Sequence, residues 1–274
     1  MPGLRHLAWH WGAIALLGGW IAQGLPGWQI ALLPQGILLV FLFTLLHETT
    51  HHTPFRSQWL NTVVGHVCGL ILVLPATWFR FFHLAHHRYT QVPDKDPELG
   101  EPKPETPWGY VWHVSGVPTW IGLVRGLIRV AAWHAPDDFV PHARARSVRN
   151  EARAYLAAYA LAGAVSLWAQ TTLLLYVWII PMVLGQPFLR LYLLAEHGRC
   201  PMVADMFENT RTTFTNRIVR ALARNMPYHA EHHAFPNVPF HSLPTLHDLA
   251  KPHLKVTQDG YAAFHADYVR DALD

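Results

Sequence analysis

The sequence predicts an all-α, polytopic membrane protein with four transmembrane helices arranged as two hairpins. Its 274 residues are 51% hydrophobic and only 14% charged, well below the charged share that is typical of soluble domains. No Asp, Glu, Lys or Arg occurs between Arg5 and Glu48, or between Arg153 and Arg190. Each uncharged stretch is long enough for two crossings, because a spanning helix needs roughly 20 apolar residues.

The first hairpin is predicted at residues 7–24 and 28–46, and the second at residues 154–170 and 172–194. Lys and Arg are retained on the cytoplasmic side of a membrane, and all of these residues except Arg190, near the end of the second hairpin, lie outside the two hairpins. We therefore expect both termini and the long middle segment to be cytoplasmic, in an integral protein of a bacterial inner membrane. The spans and a cytoplasmic helical cap would form a single domain over residues 1–274.

The middle segment is predicted to contain no further span. The uncharged run 57–79 is interrupted by Gly65, His66 and Pro75, so we expect a shallow or re-entrant segment at the cytoplasmic interface. Residues 91–107 are rich in proline and acidic residues and are predicted to form a loop. Residues 108–133 are predicted to form a tryptophan-rich interfacial helix.

The remaining composition excludes several classes of protein. The net charge of +3 and the pI near 9.0 are explained by arginines at the membrane ends, so nucleic acid is not an expected partner. Cys68 and Cys200 provide neither a disulfide framework nor a C-x-x-C metal site. Membrane lipids are the surroundings that this composition predicts.

Ten of the twenty histidines are concentrated at four places in the chain. These are His47, His51 and His52; His83, His86 and His87; His197; and His229, His232 and His233. Residues three and four apart share a helix face, so the spacings HETTH, HLAHH and HAEHH are each expected to direct imidazoles to one side.

Nine or ten clustered histidines indicate two metal ions rather than one. Neutral imidazole suits zinc, copper, iron and nickel, but a zinc site takes four ligands, or three and a water. The lack of thiolate ligands favours an oxidising site that works with dioxygen. Because the clusters continue the cytoplasmic ends of the second and fourth predicted spans, a lipid chain could reach the metals from the bilayer.

With these residues the chain resembles the membrane fatty acid desaturases and the related hydroxylases and ketolases, which carry boxes HxxxH, HxxHH and HxxHH in this order. The surroundings are similar too, in HLAHHRYT followed by Asp96-Pro97 and in YHAEHHAFP at 228–236. The resemblance covers roughly residues 40–240. It implies two iron ions, dioxygen as co-substrate, four spans and boxes on the cytoplasmic side.

The resemblance also implies which residues bind the metals. The implied ligands are His47, His51, His83, His86, His87, His197, His229, His232 and His233. His52 is an alternative to His51, and the family spacing favours His51. Some members have an Asn four residues before the ligand at the position of His197, where this chain has Leu193, which argues against a water-mediated ligand. No catalytic residue beyond the metal ligands and no residue that binds an organic cofactor is predicted.

The implied reaction is reductive activation of dioxygen, followed by hydrogen abstraction from an unactivated carbon. Desaturation of a fatty acyl chain or a similar lipid is the leading hypothesis, and the alternative is a hydroxylase or ketolase of a lipid, carotenoid or alkane. Electrons would come from a ferredoxin or a cytochrome with its reductase, for which the arginine-rich segment 144–153 is a predicted docking site.

Four carboxylates are predicted to orient ligand imidazoles, with surface solvation as the alternative for each: Glu48, Asp96, Glu196 and Glu231. The histidines outside the boxes are expected to be packed or solvated. Examples are His6, His10, His113, His134, His142, His241 and His247.

Two other hypotheses account for part of the pattern. Residues His47–His51 spell H-E-x-x-H, the signature of zinc metalloproteases, here on a predicted membrane helix. A protease would use one zinc, a Glu base and one further ligand, which leaves most clustered histidines without a role. A metal transporter would line a path through the bilayer with histidines, whereas the boxes lie at or beyond the span ends.

Overall fold

The chain folds into α-helices joined by short connections, in agreement with the predicted all-α class. The computed structural model describes residues 2–133 and 135–271, so His134 lies outside the described residues. The first seven α-helices are α1 (Pro2–Ala22), α2 (Trp28–Val40), α3 (Leu42–Thr50), α4 (Gln58–Ile71), α5 (Ala76–Tyr89), α6 (Pro107–Val114) and α7 (Val117–Ala131). The later ones are α8 (His142–Trp168), α9 (Ile180–His197), α10 (Met206–Asn209), α11 (Arg217–Leu222), α12 (His229–Ala234), α13 (Leu243–Ala250) and α14 (Tyr261–Arg270).

Shorter elements complete the description. A π-helical turn, Leu175–Ile179, leads into α9, and 3-10 turns lie at Pro97–Gly100, Phe240–Ser242 and Lys251–His253. Two short strands, β1 (Thr212–Thr213) and β2 (Thr257–Gln258), pair in parallel, with Thr212 opposite Thr257. This pairing attaches the C-terminal segment to the connection that follows α10.

Two helical stretches among the described residues are long and apolar enough to cross a membrane, Trp28–Thr50 and Leu175–His197. They contain most of the predicted spans 28–46 and 172–194. A Cβ added to Gly36 would lie 2.0 Å from the carbonyl oxygen of Pro181, so the two stretches pack with their backbones almost in contact. Such close approach through glycine is typical of packed membrane helices.

The other two predicted spans lie in α1 and α8, which do not meet the same criteria of length and apolarity. α1 carries Arg5 and two histidines in its first three turns. The apolar part of α8 follows Arg153 and ends at Trp168, which is shorter than the roughly 20 residues of a full crossing. The arrangement of four spans in two hairpins therefore stays a prediction.

The middle segment is bent between α4 and α5 and contains one more helix than predicted. α4 and α5 are bent by 101° relative to each other, as in a broken span or a re-entrant segment, and the bend contains Val73 in a left-handed conformation. The single helix predicted over residues 108–133 is wrong. α6 and α7 are separate helices, because Gly116 adopts a φ of 74° between them and interrupts the hydrogen-bond ladder.

A buried arginine connects the N-terminal helices to the C-terminal part of the chain. Arg224, which is 1% exposed, donates hydrogen bonds to Thr44 Oγ1 at 2.8 Å and to the carbonyl oxygen of Phe41 at 3.3 Å. It also donates to Nδ1 of His10 at 2.9 Å. These contacts hold the segment that leads into α12 against α1 and α3.

We expect Arg224→Met to destabilise the fold. Methionine would leave the buried acceptors Oγ1 of Thr44 and Nδ1 of His10 without a donor, at a cost of about 1–3 kcal/mol for each such group. The measurement is the unfolding midpoint of the purified protein in detergent. The exposed Arg217 in α11 offers a matched control, and equal midpoints for Arg224→Met and Arg217→Met would contradict the assignment.

Candidate metal centre

The histidines of the three boxes meet in the interior, although they come from separate helices. α3 contributes His47 and, directly after its end, His51, and α9 contributes its last residue, His197. α5 and α12 contribute the other six, which are His83, His86, His87, His229, His232 and His233. His51 is half-buried and the rest are buried.

Five of these histidines form a first group, in which each offers one ring nitrogen within 4.8 Å of the others. The members are His47, His51, His83, His87 and His232. Nε2 of His51 lies 2.9 Å from Nε2 of His83. Nitrogens bonded to one metal ion at about 2.1 Å and at right angles lie about 3 Å apart, so this spacing fits ligands of a shared ion.

A second group consists of His86, His197 and His233. Nε2 of His197 lies 3.2 Å from Nε2 of His86 and 3.2 Å from Nε2 of His229, so His229 adjoins this group. The ring of His229 also faces the first group, with its centroid 6.2 Å from that of His47. The two groups are therefore neighbours, as a pair of metal ions requires.

Each HxxHH box divides between the two groups instead of directing all its imidazoles to one target. His83 and His87 enter the first group while His86 enters the second, and the adjacent His232 and His233 separate in the same way. Successive residues of a helix point about 100° apart, so a box of this spacing serves two sites at once.

Hydrogen bonds orient the rings of the second group. Each Nδ1 has a partner outside the group: Asp96 for His86 (2.9 Å), the carbonyl oxygen of Asn209 for His197 (3.3 Å) and the Thr90 hydroxyl for His233 (3.1 Å). A neutral imidazole that carries its proton on Nδ1 has its lone pair on Nε2. In this tautomer all three rings present a metal-binding nitrogen to the group.

The groups contain buried ring nitrogens that have no hydrogen-bond partner among the described residues. They are both nitrogens of His47, His87 and His232, and Nε2 of His233. A buried polar atom without a partner costs about 1–3 kcal/mol, and a bound metal ion removes that cost for the one nitrogen of each ring that it binds. Burial lowers the pKa of His232 and of His233 well below the usual range, which keeps both rings in the neutral form that binds metals. The donor set therefore fits two metal ions.

The other donors considered from the sequence lie apart from both groups. His52 has a left-handed backbone and lines a separate small cavity with Asn61 and Arg80, so the structure brings His51 rather than His52 into the first group. Cys68 and Cys200 are buried but belong to neither group.

Two of the four predicted orienting carboxylates contact ligand imidazoles. Asp96 accepts from His86 and is itself held by the backbone N–H groups of Gln91 (2.8 Å) and Glu98 (3.0 Å). Oε1 of Glu196 lies 3.4 Å from Nδ1 of His229. A hydrogen-bonded carboxylate such as Asp96 fixes the orientation of a metal ligand and raises its basicity, whereas Glu196 lies beside His229 without a hydrogen bond.

Glu231 connects the third box to the C-terminal part of the chain. It accepts hydrogen bonds from the Nδ1–H of His247 and from the Thr212 hydroxyl, and neither of these residues is a predicted metal ligand. These two bonds tie α12 to α13 and to β1.

Glu48 is also engaged away from the ligand rings. One of its oxygens accepts from the Thr53 hydroxyl at 2.8 Å and from the backbone N–H of Phe240 at 3.2 Å. These bonds do not favour the zinc-protease hypothesis, in which Glu48 would be a free general base.

Several supporting residues were not identified from the sequence. Thr90 follows His87 by three residues, and this spacing is a signal that could have identified it. Asn209 and His247 give no such signal, because they reach the histidines or Glu231 only through the tertiary fold. His247, expected to be merely packed or solvated, is one of the two partners of Glu231.

A cavity of about 770 Å³ opens beside the two groups and has His47, His83, His86 and His229 in its wall. Its apolar side includes Phe43, Phe79 and Phe82, and the ring of Phe79 stacks on that of His83 with centroids 5.4 Å apart. Its charged side includes Glu98, Lys103, Arg190 and Glu196. Oε2 of Glu98 lies 3.3 Å from Nε2 of His86, so each side of the cavity reaches the histidines.

Comparison with known proteins identifies the same region. The family model for fatty acid desaturase matches residues 22–265, which include all nine predicted ligands. The dihydrorhizobitoxine desaturase of Bradyrhizobium elkanii is 27% identical over 260 residues, which cover 86% of this chain and 71% of the relative. The sn-1 oleoyl-lipid 12-desaturase of Picosynechococcus sp. is 32% identical over 123 residues, which cover 43% of this chain and 33% of the relative.

A third relative matches over a shorter stretch. The sn-1 acyl-lipid omega-3 desaturase (ferredoxin) of Nostoc sp. is 30% identical over 79 residues, which cover 28% of this chain and 22% of the relative. The matches with the two acyl-lipid enzymes thus span a third of the relative's length or less. The family model covers most of this chain and carries the assignment: the chain belongs to the fatty acid desaturase family and is an oxidoreductase.

Proposed function

We propose that this protein is a membrane desaturase that uses two iron ions and dioxygen to introduce a double bond into a fatty acyl chain or a similar lipid. The observation that carries the proposal is the pair of buried histidine groups beside a cavity with an apolar side. The desaturase names of the relatives favour desaturation over the hydroxylase or ketolase alternative.

The residues divide into two ligand sets under this proposal. One iron would be held by His47, His51, His83, His87 and His232, and the other by His86, His197, His229 and His233. When bound, the two irons supply the reduction of dioxygen and the removal of hydrogen from an unactivated carbon. The predicted bacterial inner membrane, with four spans, cytoplasmic termini and a cytoplasmic site in a single domain, is part of the same proposal.

The cavity determines what the protein itself contributes to the reaction. Phe43, Phe79 and Phe82 offer an apolar surface along which an alkyl chain packs and from which water is excluded. The stack of Phe79 on His83 places this surface next to the first histidine group. Holding a chain at a fixed distance from the ligands is the step that selects which carbon reacts.

Electrons are proposed to come from a soluble partner, a ferredoxin or a cytochrome with its reductase. The Nostoc relative is named as a ferredoxin enzyme, which favours the first. In the arginine-rich segment of α8, Arg149 and Arg153 donate to the carbonyl oxygens of Trp133 and Ala131. Arg144 and Arg146 are exposed, so these two form the docking surface that we propose for an acidic partner.

Metal analysis tests the ligand assignment. We expect purified protein to contain close to two irons per chain and His87→Ala to lose the iron of the first group, because both ring nitrogens of His87 are buried and otherwise unpaired. His241→Ala is the control, since His241 is exposed and belongs to neither group. One zinc per chain without iron would overturn the proposal.

Mass spectrometry of total lipids tests the reaction. In a host that expresses this protein with a matched reductase, we expect a lipid product lighter than its precursor by two hydrogen atoms. A product heavier by one oxygen atom would indicate the hydroxylase alternative instead. An unchanged lipid profile that is identical for wild type and for His87→Ala would contradict both reactions.

The carboxylate of Asp96 is expected to be necessary for full metal occupancy. Asp96→Asn keeps the size of the side chain but weakens the acceptor for Nδ1 of His86, and changes of this kind typically cost roughly 10- to 100-fold in metal affinity or activity. The measurement is iron retained after dialysis against a chelator. Asp94→Asn, at an exposed position two residues earlier, should retain iron like wild type.

A further inference from the structure

Arg190 is a positively charged side chain within the apolar stretch Leu175–His197. A charge at such a position is costly, and in membrane helices it commonly faces a cavity and has a function. Arg190 precedes His197 by seven residues, so the two share a face of α9 and lie about 10 Å apart along its axis. It lines the same cavity as four of the histidines.

No salt bridge to Arg190 is formed within the described part of the chain. Its Nε atom is buried and has no hydrogen-bond partner in residues 2–133 and 135–271. Glu98, Glu101 and Glu196 are the carboxylates that act on it electrostatically, but none of them forms a salt bridge with it there. Glu98 is already paired with Lys103 at 2.7 Å, and Glu101 is exposed.

The other arginines in the wall of the cavity are either paired with a carboxylate or exposed to solvent. Arg129 is bound through both of its terminal nitrogens to Asp137, at 2.6 and 3.1 Å. Arg125 lies on α7 and is exposed to solvent. Arg190 alone among these three combines burial of a donor atom with the lack of a partner in the described chain.

We propose that Arg190 binds an anionic oxyacid group, a carboxylate or a phosphate, at one end of a substrate whose apolar part lies along Phe43, Phe79 and Phe82. The planar fork of guanidinium donors matches both groups. Such a ligand supplies the missing counter-ion. The inference rests on the proposed function for the reaction, and it narrows the substrate class to amphiphiles that carry a negative charge inside the cavity.

Equilibrium binding of three radiolabelled probes tests this proposal. The probes are dodecanoate, dodecyl phosphate and dodecanol, which share the same alkyl group. The full chain in nanodiscs of neutral lipid is used, without reductant or dioxygen. We expect wild type to prefer at least one anion over dodecanol by roughly ten- to hundredfold, the range of a charge-assisted hydrogen bond. A tighter carboxylate indicates a free acid as the natural ligand, and a tighter phosphate indicates a phospholipid.

Variants assign the preference to one side chain. Arg190→Gln should bind dodecanol like wild type and lose the preference for the anions, whereas Arg190→Lys should retain most of it. Arg125→Gln is the matched control and should behave like wild type. Comparing ratios between variants removes the unequal partition of the probes into the lipid.

Three results would overturn the proposal: wild type without preference for either anion, Arg190→Gln with the preference intact, or Arg125→Gln with an equal loss. If Arg190→Gln does not fold, as shown by lost dodecanol binding, Arg190→Lys decides, because complete loss of the preference with the charge retained is also negative. Binding is measured without turnover, so a protein that prefers anions but yields no desaturated product would contradict only the proposed function.

Discussion

The need to find partners for many buried imidazole nitrogens is the constraint on which this structure depends. Eight of the predicted ligand histidines are buried, and both ring nitrogens of His47, His87 and His232 have no partner among the described residues. Under the proposed function, two metal ions would each bind one nitrogen of several of these rings and so provide partners that the described chain does not. The histidines of these groups come from α3, α5, α9 and α12 or the residue that follows α3, so the centre exists only where these helices meet.

Much of the remaining structure holds these four helices in place. Asp96, Thr90 and the carbonyl oxygen of Asn209 fix the rings of the second group from outside. Arg224 joins α1 and α3 to the segment before α12, while Glu231 joins α12 to α13 and β1. The buried polar groups of this interior therefore serve mainly to position the histidine rings and the helices that contain them. Removal of one partner leaves a buried group unpaired, which costs more than the bond itself contributed.

The cavity beside the histidine centre is where the proposed function places the substrate. Its lining contains aromatic residues, of which Phe79 contacts the first group, and charged residues, of which Glu98 lies near His86 and Glu196 near His229. A substrate that lies across both sides must itself be apolar at one end and polar at the other. In the further proposal, the guanidinium of Arg190, whose buried Nε has no partner among the described residues, requires a negative charge at the polar end of that substrate.

The sequence alone determined the parts that depend on local spacing. The HxxxH and HxxHH boxes predicted a histidine-rich metal centre, and uncharged runs predicted the two apolar stretches Trp28–Thr50 and Leu175–His197, because helical periodicity and hydropathy are properties of neighbouring residues. Only the tertiary structure decided how His232 and His233 divide between groups, why Asn209 and His247 matter, and that Arg190 faces the cavity. Those facts depend on contacts between residues far apart in the chain, about which spacing carries no information.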